Sequence, residues 1–195
     1  MRPFRSVQYR SSAALALMGA LVGTAAMAEE RKNLGAHEHG HSTLTIAVEG
    51  TRVAMALRAP GLDIVGFKQA AATNEQQAAV SRAKIALTDP LALFVLPRVA
   101  RCRLIEAMAQ LETEAHKQGR RGATQAGAEQ EGQAEFRAEY ALDCANPVAL
   151  DWIIFRFFES FANARVVEVT LVTEHGRAAF RVGRAMPRIM FERFT

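Results

Sequence analysis

The sequence predicts an α+β fold: mainly antiparallel β-sheet hairpins with one main helix packed on the sheet. Three observations carry this. Alternating apolar and polar residues recur in four places, at 43–48, 52–59, 134–144 and 166–182, and a period of two marks half-buried strands. Turn signals, Glu49-Gly50-Thr51 and His175-Gly176, interrupt that alternation and join the segments into hairpins. A single stretch, Thr73 to Leu87, combines helical spacing with a capping signature. Strand pairs closed by short turns, with one helix between them, are the pattern of an α+β domain.

Met1 to Ala28 reads as a cleavable leader. Arg2, Arg5 and Arg10 form its positive start, Ala13 to Ala26 is an uncharged and mostly apolar run, and Ala26-Met27-Ala28 is an A-x-A cleavage site. The run is short of the roughly 20 residues a membrane span needs. Cleavage predicts a periplasmic chain of residues 29–195. A flexible, histidine-containing segment over 29–42 comes first, then a single domain over 43–183, then a tail over 184–195. The leader also removes a charge argument. The whole chain holds 24 Lys and Arg against 20 Asp and Glu, and three of the arginines leave with the leader, so the remainder carries net +1. No basic patch with interleaved aromatics is present, which sets nucleic acid aside as a partner.

Two strands, Thr43–Val48 and Arg52–Ala59, form the first predicted hairpin, and Pro60-Gly61 ends it. Leu62 to Phe67 is an apolar connector. In the helix Thr73–Leu87, Thr73 stands at the cap with Gln76 three residues on, and Ala79, Val80, Ala83 and Leu87 form the buried stripe. Asp89-Pro90 stops it. Val99 to Lys117 fits helix by its Leu104, Ile105, Met108, Leu111 spacing, and fits strand by Ala100, Cys102 and Leu104. The later segment decides. Phe136, Ala138, Tyr140, Leu142 and Cys144 alternate with polar residues, so Cys144 lies on the apolar side of a strand. If Cys102 lies on an antiparallel neighbour, the two meet the Cα separation of roughly 4.4–6.8 Å that a disulfide needs. Arg101 to about Met108 is therefore read as strand.

An even cysteine count in an exported chain points to a Cys102–Cys144 disulfide. The competing reading, two thiolate metal ligands, lacks a C-x-x-C spacing. Gln118 to Gln133, rich in Gly, Ala and Gln, predicts a long disordered insert with His116 at its mouth. Trp152 to Phe158 is a buried strand or the last turn of a helix. Val166–Glu174 and Arg177–Val182 form a second hairpin, in which His175 is a turn residue. Met186 to Thr195 either packs on the domain or trails from it.

The chemistry concentrates in His37-Glu38-His39-Gly40-His41, which leads into the first strand. On an extended backbone, residues two apart project to one side. His37, His39 and His41 share the exposed side with Thr43 and Thr45, while Leu44 and Ile46 face the core. Two imidazoles at this spacing reach one ion, but three on a straight strand span about 13 Å. Gly40 permits the bend that would bring His41 round.

The ordered set of features resembles the ZrgA-like family of periplasmic zinc-uptake accessory proteins. The resemblance rests on the leader, the His-Glu-His-Gly-His stretch before an alternating strand, and Ala59-Pro60-Gly61-Leu62-Asp63-Ile64-Val65-Gly66-Phe67. It continues through Leu93-Phe94, Ala100-Arg101-Cys102, a polar insert, Ala138-Glu139-Tyr140 with Cys144, and Phe155-Arg156-Phe157-Phe158. It implies zinc binding in support of metal uptake, with an ABC-type metal importer or its binding protein as partner. His37, His39 and His41 match the family's N-terminal motif. Two departures imply reduced metal capacity. Lys68-Gln69 stands where the family commonly shows Glu-His, and the insert offers only His116 and a few glutamates. The expected donors are thus His37 and His39 as an anchor pair, His41 or His116 third, and Glu38 or water fourth. Copper or nickel also suits imidazoles, so the choice of zinc comes from the resemblance.

The rival reading is a non-metal periplasmic interaction module that uses hairpin edges or the tail. An enzyme is not expected, nor a small-molecule substrate. No nucleophile–base motif, glycine-rich phosphate loop or recognisable carboxylate pair is present.

Overall fold

A computed structural model describes residues 41–113 and 133–191. Ser42, Leu44 and Ile46 are buried while Thr43 and Thr45 are exposed, so the predicted alternation becomes strand β1, His41–Glu49. Gly50, at φ 54°, makes the left-handed turn that a two-residue hairpin loop requires. The chain returns as β2, Arg52–Pro60, pairing antiparallel with β1 from Thr43↔Arg58 to Glu49↔Arg52.

The apolar connector is not extended. Gly61–Val65 is a short helix, α1, closed by Gly66 at φ 84°. Only glycine fits Gly61, because a Cβ there would lie 2.8 Å from the Phe67 carbonyl oxygen. Helix α2, Asn74–Leu87, carries the predicted capping box of Thr73 and Gln76, and buries Val80, Ala83 and Leu87. Asp89 then caps a further turn, α3 at Pro90–Leu93, by accepting from the Ala92 amide. Strand β3 is Phe94–Val95.

Strand β4, Cys102–Glu112, runs antiparallel to β5, Glu135–Cys144, with a bulge between Leu104 and Glu106. The strand reading of Arg101–Met108 holds and extends four residues further. Cys102 and Cys144 face each other in register and are bonded, with Cα atoms 3.8 Å apart, closer than the usual span. The thiolate-ligand reading is thereby excluded. Both readings of Trp152–Phe158 are found in turn: β6 at Trp152–Phe155, then α4 at Phe157–Ser160. Strands β7, Val166–Thr173, and β8, Gly176–Gly183, form the second hairpin. Part of the C-terminal stretch packs on the domain: β9, Arg188–Met190, pairs with β6.

The large sheet has the order β4-β5-β2-β1-β7-β8, and the small one β3-β6-β9. All the large sheet's pairs are antiparallel except β1–β7, which is parallel from His41↔Val166 to Val48↔Thr173. The fold is therefore a mixed-sheet α+β arrangement. Helical residues are spread over four α-helical segments among the described residues, rather than gathered into one main helix on the sheet. Phe94 packs against Phe155 and Phe157 and reaches Tyr140 of the large sheet at a ring separation of 6.4 Å, so the core runs continuously between the sheets. Burial pushes the Tyr140 phenol well above its ordinary pKa, and its hydroxyl has no hydrogen-bond partner among the described residues. Arg184 holds the turn after α4, donating to the carbonyls of Phe158, Phe161, Ala162 and Ala164 at 2.7–3.0 Å.

Candidate metal site

His41 opens β1 on the same side as Thr43 and Thr45, as its spacing predicts. His37, Glu38, His39 and His116 lie outside the described residues, as does all of the predicted insert but Gln133.

The registers show what shares His41's end of the sheet. His41 stands beside Val166 of β7. On its other flank, the pairing Thr43↔Arg58 brings Pro60 alongside. Pro60 pairs with Glu135, and Glu135 with Glu112. The ends of β4 and β5 that flank the segment carrying His116 are therefore at the same end as His41. At about 4.8 Å per strand, β5 lies roughly 10 Å from β1 and β4 roughly 14 Å. A third segment arrives there too. The Ala134 amide donates to the Lys68 carbonyl at 2.6 Å, which fixes Lys68-Gln69 beside the start of β5. His41, the Lys68-Gln69 position and the strand ends that flank the insert, distant in sequence, share one end of one sheet.

Both signs of charge stand at this end. The Arg137 Nε lies 3.0 Å from a Glu112 carboxylate oxygen and 3.1 Å from one of Glu135. Arg137 balances one of these two carboxylates, and Lys68 and Arg58 are cationic residues at the same end. Behind His41, Ser42 Oγ donates to Asp63 Oδ2 at 3.2 Å, and both residues are buried. This contact ties the first turn of α1 to the residue next to His41 and so positions the start of the strand. The sequence reading passed over Asp63. The available signal was a single carboxylate inside the apolar run Leu62-Asp63-Ile64-Val65.

Other candidate donors are excluded by position. Both cysteines are consumed by the disulfide. His175 sits in the β7–β8 turn, where its amide donates to Thr173 Oγ1. Since β1 and β7 run parallel, His175 is at the opposite end of the sheet, on the order of 25 Å from His41 along the strands. Among the described residues no three His, Cys, Asp or Glu side chains are grouped to hold a metal ion. His41 alone is one imidazole, and the remaining donors of a site there must come from the neighbouring segments.

Residues 36–191 match a family model described as ZrgA family zinc uptake protein. No curated protein matches the chain.

Proposed function

We propose, from the premise that this chain belongs to the ZrgA family of zinc uptake proteins, that it captures zinc reversibly in the periplasm and passes it toward import. The observation that carries the proposal is where the match begins. It starts at Ala36, so the family region takes in His37, His39 and His41 with the sheet they lead into. His37 and His39 supply two neutral imidazole nitrogens. His41 or His116 supplies a third, and Glu38 or water completes the tetrahedron that zinc favours. The shared end of the sheet supports His116 as a partner, because the strands flanking its segment finish at the end where β1 begins, two and three strands away. A surface site with an exchangeable fourth position releases metal more readily than four protein ligands do. It also releases metal as pH falls and imidazoles protonate. The zinc is cargo and the role is non-catalytic. An ABC-type importer or its binding protein is the natural recipient.

Calorimetric titration with zinc tests this, comparing the protein with its His37→Ala/His39→Ala/His41→Ala variant. Binding tighter than about 10 μM, corresponding to about 7 kcal/mol, is expected for the parent and loss of that binding for the variant. Weaker binding in the parent, or none lost in the variant, rejects the reading.

A further inference from the structure

The centre of the outer face of the six-stranded sheet is floored with small side chains, within a surround of charged ones. Thr45, Ala47, Ala54, Ala56 and Ala141 floor a hollow of about 320 Å³ bordered by Glu106, Met108 and Glu139. Thr45, Ala54 and Ala56 are exposed. Solvated sheet faces more often carry long polar chains, and a small-residue floor lets a second sheet approach to the usual packing distance of about 10 Å. Both signs of charge lie on this face, with Glu106, Glu139 and Arg137 on β4 and β5 and Glu168, Arg177 and Arg181 on β7 and β8.

We infer that this face is the contact of a two-fold dimer, in which a second copy of the chain stacks on it with the axis parallel to the strands and between β1 and β2. Such a rotation keeps position along the strands and reverses strand order. Strand β4 then lies over β8 of the second copy, β5 over β7, and β2 over β1. The registers set the opposing residues. Glu106, Ala141, Ala54, Ala47, Val172 and Arg177 share one row across the sheet, so Glu106 meets Arg177 of the second copy. Arg137 and Glu168 share another row with Arg58 and Thr43 and lie opposite each other too, although each already has a partner in its own chain, Glu112 and Glu135 for Arg137 and Arg181 for Glu168. Arg52 meets Glu49, and Ala54 meets Ala47 at the centre. Symmetry doubles each contact. At the hairpin tips Asp143 approaches Glu174 of the second copy, but Arg103 already holds that carboxylate at 2.9 Å. The alternative axis, across the strands and through the Thr45 row, sets Glu139 against itself and Arg177 against Arg181.

The face measures roughly 24 Å by 20 Å from strand spacing and rise, or about 1,000 Å² over both copies, the lower bound for a specific interface. A dimer of micromolar strength fits that size.

Sedimentation equilibrium on the purified protein with a metal chelator present, from about 1 to about 200 μM, is expected to show a monomer–dimer equilibrium. The chelator separates this contact from any metal bridge. Arg177→Glu puts like charges at two symmetry-related points and is expected to weaken the dimer about tenfold or more. Adding Glu106→Arg restores it. Thermal unfolding of each variant reports whether the fold is intact. A protein that stays monomeric throughout, a dimer indifferent to Arg177→Glu, or a double variant no stronger than the single one overturns the inference.

Discussion

Where the β1–β2 and β7–β8 hairpins close, the chain is fastened. Gly50 and Thr51 turn β1 into β2, the Cys144 amide donates to the Thr51 carbonyl at 2.8 Å, and Cys144 is bonded to Cys102. Arg103 and Asp143 add an ion pair one row inward. At the other end, where β1 begins, the ties are non-covalent: Ser42 to Asp63, Arg137 to its two glutamates, and the backbone bonds from Ala134 to Lys68 and from Gly61 to Ala134. His41, Lys68-Gln69 and the strand ends beside the insert gather there. One end carries covalent constraint and tight turns, and the other carries His41 and the strand ends beside the insert.

The sharpest way to break this comparison is at the fastened end. Cys102→Ser/Cys144→Ala removes a cross-link spanning 42 residues, and chain-entropy arguments put its loss at about 4 kcal/mol of stability. Denaturant unfolding should show that loss while zinc titration of the folded variant stays within about threefold of the parent, well under 1.4 kcal/mol. A large fall in zinc affinity would show that the two ends are coupled.

A smaller change is expected at the histidine end. Lys68→Glu/Gln69→His restores the family's usual pair at a position the Ala134–Lys68 hydrogen bond already fixes beside the sheet end. Zinc titration should tighten by about tenfold, or about 1.4 kcal/mol, with the unfolding midpoint nearly unchanged. No gain would mean that position 69 does not reach the histidine stretch.

The smallest effect concerns the ion pair at the fastened end. The Asp143 carboxyl is held below the usual carboxylate range, first by its hydrogen bond from Arg103, then by one from Thr51, and by the nearby Arg103 and Arg52 charges. A lowered folded-state pKa stabilises the fold above the unfolded value of about 3.9, and that contribution fades as pH falls through the folded value. Asp143→Asn should therefore unfold slightly more easily than the parent at pH 6, and the two should converge in acid. The pair is solvent-exposed, so the difference is small. A gap that widens in acid would contradict the assignment.

Much of the fold was legible in the sequence because its signals are local. Alternation placed β1, β2, β5, β7 and β8, and the Thr73–Gln76 box placed the start of α2. Cys144 on an apolar strand face resolved the ambiguous stretch at Cys102 in favour of strand. Helix α1 was missed because five residues are too few to show a 3.6 period. Asp63 was missed with it, since a buried carboxylate looks like a connector residue until its partner Ser42, 21 residues away, is known. In the site, spacing gave the side of β1 on which His41 lies.

The sequence by itself placed the six strands of the large sheet and the disulfide partners. Each of these follows from side-chain period or residue chemistry within a few positions. Only the tertiary structure decided that β1 lies parallel to β7, which carries His175 to the far end of the sheet. It also decided that Lys68-Gln69 and the strand ends that flank the insert share His41's end of the sheet. Strand order is set by how whole faces bury against one another, and no local pattern in the chain encodes it.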